Sequence, residues 1–87
     1  MPFIVLINVH GNLPEKSRPV VGNGLRARQL GDALRSHGVE VRFASHESFY
    51  RDAPAPDGLS TFQDGTGLLD LIRRHSPSLL VCIQGEG

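Results

Sequence analysis

The feature that most constrains this 87-residue chain is the alternation of apolar, strand-like runs with helical segments. Residues 3–9 and Leu79–Ile83 are almost uninterrupted apolar runs, which is typical of strands covered on both faces. Residues 39–44 alternate apolar with polar side chains, which predicts a half-buried strand. The pattern predicts an α/β fold, a three-layer Rossmann-like βαβαβ unit with a parallel three-stranded sheet, as in an incomplete doubly wound domain.

Two segments between these runs have the period of a helix. Apolar residues recur on one helical face from Asn23 or Gly24 onward, and Gly38 is the expected left-handed stop of that helix. The second helical segment is Gly65–His75, for which Asp64 is the expected N-cap. The chain is short enough to form a single domain over residues 1–87.

The connections between these elements predict where a site would lie. Right-handed crossovers bring the loops that follow parallel strands to one edge of the sheet, so loops 10–24, 45–63 and 84–87 are expected to meet there. The stretch 45–63 contains Pro and Gly residues without a sustained period, and we expect a long surface excursion with a helical turn near residues 48–51. The alternating second strand favours an edge position and the strand order 2-1-3.

Composition excludes several partners and locations. Lys plus Arg and Asp plus Glu number nine each, so no basic field favours nucleic acid. Cys82 is the single cysteine, which is compatible with a reducing compartment. The first apolar run is too short for a transmembrane helix and has no basic leader, so we expect a cytoplasmic protein with no transmembrane segment. The histidines show no spacing that suggests a metal site.

A glycine pair opens the first helix. Gly22-Asn23-Gly24 with Ala27 matches the dinucleotide pattern G-x-G-x-x-A, but twelve residues separate it from the first strand, which argues against an NAD or FAD site. A helix opened by glycines still presents unpaired N–H groups to an anion or a sugar hydroxyl. The alternative is that Asn23 caps the helix and the glycines only permit the turn.

Three further residues are candidates at the same edge. His10 and Gly11 follow the first strand directly, where a histidine donates to a phosphate or hydroxyl or caps the strand end locally. Arg26 lies in the first turn of the first helix, where it clamps a phosphate or carboxylate or is simply a solvated surface side chain. No catalytic residue is assigned. The candidate substrate- and phosphate-binding set is His10, Gly11, Gly22, Asn23, Gly24 and Arg26.

Residues 22–41, GNGLRARQLGDALRSHGVEV, resemble the start of GT-B-fold glycosyltransferases of the family-4 type. In that family a glycine-containing loop leads into a helix that ends like ALRSHGVEV. Residues 76–83 are similar to the family's third strand. The resemblance implies an enzyme that moves a sugar from a nucleotide-sugar donor to an acceptor across a cleft between two Rossmann-like domains. It also implies the strand order 3-2-1 with more strands beyond the first, so both orders remain open.

The resemblance assigns roles to parts of this chain. Gly22, Asn23 and Gly24 would form the loop that approaches the donor phosphates, with His10 and Gly11 beneath it. The family's C-terminal nucleotide-binding domain and its donor-binding glutamate pair have no counterpart in these residues. We therefore expect an N-terminal, acceptor-side domain or fragment that transfers no sugar alone, because catalysis needs the donor held across both domains.

The resemblance also leads to expectations about cofactors and partners, and other functions remain open. No cofactor is expected beyond the nucleotide-sugar substrate. An unpaired edge on the first strand would favour a homo-oligomer or a complementary C-terminal chain. The alternatives are a non-catalytic, flavodoxin-like or Rossmann-like ligand-binding module and a structural or regulatory partner subunit.

Overall fold

The computed structural model describes residues 3–11, 23–51, 55 and 58–83. In chain order the elements are β1 (Ile4–Val9), α1 (Asn23–Ser36), β2 (Glu40–His46), a 3₁₀ turn (Glu47–Tyr50), β3 (Leu59–Phe62), α2 (Gly65–His75) and β4 (Leu79–Ile83). Within these ranges no helix combines the length and the apolar character needed to cross a bilayer.

The strands form one parallel sheet with the order β3-β2-β1-β4. In the centre of the sheet, Ile7 of β1 is paired with Phe43 of β2 on one side and with Val81 of β4 on the other. The predicted α/β class and the parallel direction of the strands are confirmed, and the arrangement is compatible with a Rossmann-like unit.

The prediction of a three-stranded sheet is wrong, because the described residues already form a sheet of four strands. The additional strand is β3, which lies within the predicted surface excursion and pairs with β2 from Phe43 opposite Leu59 to His46 opposite Phe62. The sequence of β3, LSTF, is short and has no apolar run, so its pattern does not identify it as a strand. Pairing with β2 rather than its own hydrophobicity makes this segment extended.

The position of β3 also corrects the predicted edges. The three predicted strands do lie in the order 2-1-3, but β3 lies outside β2 and makes the full order 3-2-1-4. The second strand is therefore interior, and β1 is paired on both sides, so the unpaired edge predicted for the first strand does not exist. The outer strands are β3 and β4, and β4 exposes 49% of Leu79 and 38% of Leu80.

Each face of the sheet packs against one helix. Alternate residues of a strand point to opposite faces, so the apolar runs of β1 and β2 supply two separate clusters. On the α1 face the buried cluster comprises Val5, Ile7, Val9, Ala27, Val41 and Phe43. On the α2 face it comprises Leu6, Ala44 and Leu71, with Phe62 and Ile72 packed beside them.

The ends of the helices follow the predicted local chemistry. Gly38 lies just beyond α1 with a φ of 82°, the left-handed conformation that favours glycine. The carboxylate of Asp64 accepts a hydrogen bond from the backbone N–H of Gly67 at 2.9 Å, which confirms the predicted N-cap of α2. These two turns direct β2 and α2 back onto the sheet.

Candidate functional site

A pocket of about 420 Å³ lies on the α2 face of the sheet, where β1, β2 and β3 end. This volume is within the range of small-molecule sites. The pocket is lined by Asn8, Val9, His10, His46, Ser48, Phe49, Phe62 and Leu68. Its position at the carboxyl ends of parallel strands is where open α/β sheets bind ligands.

The floor of the pocket comes from the sheet. Asn8 is a polar residue in an otherwise apolar strand, and only 9% of it is exposed. It lies on the same face as Leu6, in register with Ala44 of β2 and Cys82 of β4. Leu68, in the first part of α2, also lines the pocket. The lining therefore combines a buried amide from the sheet with an apolar contact from α2.

His46 joins two walls of the pocket through both of its ring nitrogens. Nδ1 accepts a hydrogen bond from the backbone N–H of Ser48 at 3.1 Å and lies 2.8 Å from the Ser48 hydroxyl oxygen. Nε2 lies 2.7 Å from the carbonyl oxygen of Gln63. Because a carbonyl only accepts, these partners assign the proton to Nε2 and leave Nδ1 as an acceptor, which is the neutral imidazole.

The same ring also packs against an aromatic side chain. The rings of His46 and Phe62 meet edge to face with 5.7 Å between their centroids. His46 is thus held by the 3₁₀ turn on one side and by the β3–α2 turn on the other. Its role in this arrangement is to position the walls of the pocket, since neither ring nitrogen points to an unoccupied position.

His10 lines the pocket from the loop that follows β1. Its ring contacts Phe49 edge to face at a centroid distance of 5.0 Å, and its backbone N–H donates to the carbonyl oxygen of Ile83 at 3.0 Å. The next residue, Gly11, accepts a hydrogen bond from the buried hydroxyl of Ser45 at 2.9 Å. The loops after β1 and β2 therefore meet at one edge of the sheet, which confirms that part of the predicted convergence.

The charge around the pocket favours an uncharged ligand. The carboxylate of Asp64 lies at the N-terminus of α2 and accepts a hydrogen bond from the backbone N–H of Gly67. Its negative charge makes this helix end a poor site for an anion. The described lining residues include no Lys or Arg. A lining that combines amide, hydroxyl and imidazole groups with two phenylalanine rings is suited to a hydroxylated ring with one apolar face.

The predicted site residues fall into two groups. His10 lines the pocket, and Gly11 lies next to it on the same loop. The other residues lie at the start of α1, which packs on the opposite face: Asn23 begins the helix, Gly24 is buried and Arg26 is exposed. None of these three lines the described pocket. Gly22 and the side chain of Asn23 lie outside the described residues, so the role of the glycine loop stays a prediction.

Sequence reasoning missed most of the lining of the pocket. Asn8 could be recognised as the one polar residue within the first apolar run. His46 ends β2 and Ser48 lies two residues further on, within the stretch 45–63 that was expected to reach the edge where loops converge. Phe62 gives no such signal, because it ends the unpredicted strand β3.

Two further observations complete the description of the site. Among the described residues, no three His, Cys, Asp or Glu side chains are grouped so that they could hold a metal ion. Comparisons with protein families, with curated proteins and with solved structures find no match to this chain.

Proposed function

We propose that this chain is the N-terminal, acceptor-side domain of a GT-B-type glycosyltransferase, and that the pocket binds the acceptor. The observation that carries the proposal is a pocket that combines hydrogen-bonding groups with aromatic walls and has no fixed positive charge among its described lining residues. A sugar or another neutral polyol presents hydroxyls to Asn8, His10 and Ser48, and its C–H face packs on Phe49 and Phe62.

The topology supports this proposal. The strand order 3-2-1-4 is the one described for the first four strands of dinucleotide-binding Rossmann folds, and the resemblance implies 3-2-1 with further strands beyond the first. A helix on each face is the arrangement from which a doubly wound domain is extended.

In this proposal the nucleotide-sugar donor binds outside the pocket. The glycine loop before α1, with Arg26 exposed in the first turn, is expected to approach the phosphates of a nucleotide sugar. A second Rossmann-like domain supplies the remaining donor contacts in such enzymes, so the isolated chain is expected to bind an acceptor without transferring sugar. The exposed Leu79 and Leu80 on the outer strand β4 are where a second copy or a complementary chain would pack.

The test is a titration of the ¹⁵N-labelled chain with methyl α-D-glucopyranoside, UDP-glucose and inorganic phosphate. We expect the neutral glycoside to shift the backbone resonances of Asn8, His10, Ser48 and Phe49. Inorganic phosphate is expected to leave these resonances unchanged. Shifts at this pocket caused by phosphate instead of the glycoside would contradict the proposal.

Two matched variants control this experiment. Leu68→Trp fills the pocket, whereas Leu69→Trp places the same ring at a neighbouring position that is 54% exposed. Glycoside-induced shifts should disappear in the first variant and persist in the second. Equal responses in both variants would place the glycoside outside the pocket.

The alternative function is a non-catalytic ligand-binding module. The observation that favours it is the position of the pocket at the carboxyl ends of parallel strands, where open α/β sheets bind ligands whether or not they are catalytic. Binding of UDP-glucose in the same pocket as the glycoside would support the module, because an acceptor site does not hold the donor.

A further inference from the structure

Asn8 is the only polar residue of the central strand β1, and it lines the pocket. Only 9% of the residue is exposed, so its carboxamide is largely removed from bulk water. Burial of an amide costs free energy unless the amide forms hydrogen bonds. A carboxamide at this position of the strand therefore needs a hydrogen-bonding partner.

The described part of the fold does not provide that partner. Among the residues that the structure describes, no group forms a hydrogen bond with the carboxamide of Asn8. Its neighbours across the sheet are Ala44, which has no polar side-chain atom, and Cys82, whose thiol is a weak donor. The buried hydroxyl of Ser45, in contrast, donates to the carbonyl oxygen of Gly11 at 2.9 Å. The buried polar side chain without a partner is thus the one that lines the pocket.

The chemistry of the carboxamide defines a complementary ligand. A carboxamide has one acceptor oxygen and two N–H donors, so a ligand that satisfies both must accept and donate at neighbouring atoms. Two hydroxyls on adjacent carbons of a sugar ring meet this requirement, because one accepts from Nδ2 of Asn8 and the other donates to Oδ1. An ionised phosphate only accepts and would leave Oδ1 unpaired.

The hydroxyl of Ser48 adds a second requirement. Its oxygen lies 2.8 Å from Nδ1 of His46, which is an acceptor because Nε2 carries the proton that the carbonyl oxygen of Gln63 accepts. The hydroxyl proton of Ser48 is therefore directed to Nδ1, and the lone pairs of the oxygen remain for a ligand. A group that contacts Ser48 has to donate a hydrogen bond, which a sugar hydroxyl does.

We propose that Asn8 selects the ligand of the pocket by pairing with two vicinal hydroxyls, and that Ser48 accepts from a further hydroxyl. This inference rests on the proposed function and narrows its acceptor to a sugar with an intact vicinal diol. Asn8 is held for this task, because β1 is paired on both sides and its backbone position is fixed before a ligand binds. A ligand that lacks one hydroxyl of the pair leaves the amide partly unpaired, and sites of this kind discriminate strongly.

The first test compares the dissociation constants of methyl α-D-glucopyranoside and its 3-deoxy and 6-deoxy analogues in the NMR titration. Every vicinal pair of ring hydroxyls in the parent glucoside includes the 3-hydroxyl, so the 3-deoxy analogue has no such pair, whereas the 6-deoxy analogue keeps them all. We expect the 3-deoxy analogue to bind at least about tenfold more weakly than the parent, and the 6-deoxy analogue to lose much less. Equal affinities of the parent and the 3-deoxy analogue would overturn the inference and leave the acceptor pocket standing.

Asn8→Leu tests the residue itself, because leucine has a similar size and no polar atom. Removal of an amide that has no partner should raise the Tm of the ligand-free chain by about 4 °C. The parent and the 3-deoxy glucoside should bind this variant with equal, weakened affinity. Ser45→Ala is the matched control, since it removes a buried hydroxyl that has a partner, and it should lower Tm. A lower Tm for Asn8→Leu, or discrimination between the two glucosides that persists in it, would overturn the inference.

A nucleotide is the other source of a vicinal diol, because its ribose carries one. Methyl β-D-ribofuranoside presents this diol without a base or a phosphate and is titrated as a further ligand. We expect the glucoside to bind more tightly, since its ring covers more of Phe49 and Phe62. Tighter binding of the riboside that is lost in Asn8→Leu would reject the sugar acceptor and leave the role of Asn8 standing. The absence of binding by all of these glycosides would reject both.

Discussion

The two faces of the sheet are packed differently although the same strands build both. On the α1 face, side chains from β1, β2 and α1 form a continuous buried cluster around Phe43, which is 1% exposed. On the α2 face the buried cluster is small, and the pocket lies beyond it at the carboxyl end of the sheet. Toward the amino end of β2, the same face carries an ion pair between Glu40 and Arg42. The comparison indicates that one face supplies stability and the other leaves room for a ligand.

Close approach of α1 explains the tighter face. A Cβ atom on Gly31 would lie 2.6 Å from Cζ of Phe43, so only the absence of a side chain lets the helix pack at this distance. The guanidinium groups of Arg28 and Arg35 lie 5.7 and 5.3 Å from the centre of the same ring. Arg35 also donates from Nη2 to the carbonyl oxygen of Val41 at 3.2 Å. These contacts fix Phe43 from several sides.

The largest effect is expected from Phe43→Ala. Loss of this ring should lower the free energy of unfolding by about 3–5 kcal/mol, because it leaves a cavity that α1 and the sheet cannot both close. Leu71→Ala, the matched change on the α2 face, should cost about 2 kcal/mol, since its cluster is smaller and adjoins an open pocket. Urea denaturation of both variants measures the difference.

The milder variant Phe43→Leu keeps this comparison measurable. If the alanine variant does not fold, the leucine variant should still unfold cooperatively, at a cost of about 1–2 kcal/mol. A larger loss for Leu71→Ala than for Phe43→Ala would reverse the assignment of stability to the α1 face.

A smaller effect is expected from Gly31→Ala. Alanine favours the helix by up to about 1 kcal/mol, but the overlap with Phe43 should outweigh this gain and lower the free energy of unfolding by about 1–2 kcal/mol. Gly65→Ala is the control, because nothing lies within 4 Å of a Cβ at that helical position. It should be neutral or slightly stabilising in thermal denaturation. A stabilised Gly31→Ala chain would show that α1 can move away from Phe43 at little cost.

Most of the fold could be predicted because its signals are local. The apolar runs, the glycine after α1 and the aspartate before α2 each act within a few residues, and the range Gly65–His75 matches the predicted helix. The strand β3 could not be predicted in this way. Its extended conformation depends on pairing with β2. The sequence LSTF has no apolar run or alternation from which this pairing could be predicted.

The alternation of β2 illustrates the same limit. Glu40 and Arg42 suggest an edge strand, yet β2 is interior, because β3 pairs with its outer side. The two polar side chains lie on the α2 face and stay about 40% exposed there. The alternation of apolar and polar residues along a strand therefore indicates which face of the sheet is covered. It does not indicate whether another strand pairs with its edge. For the site, the sequence predicts the edge where loops meet and includes His10. It does not predict Phe62, whose position depends on β3.

The smallest effect is expected from Glu40→Gln, which removes the charge opposite Arg42. The two charged groups are 2.7 Å apart, but about 40% of each side chain is exposed. Solvent screening and side-chain entropy reduce the value of such a pair, so the free energy of unfolding should change by less than about 0.5 kcal/mol. Asp32→Asn, which changes an exposed charge on α1, is the control, and both variants are compared at low and high salt. A loss above about 1 kcal/mol for Glu40→Gln alone would mean that the amino end of the α2 face also contributes to stability, and the division of roles between the two faces would fail.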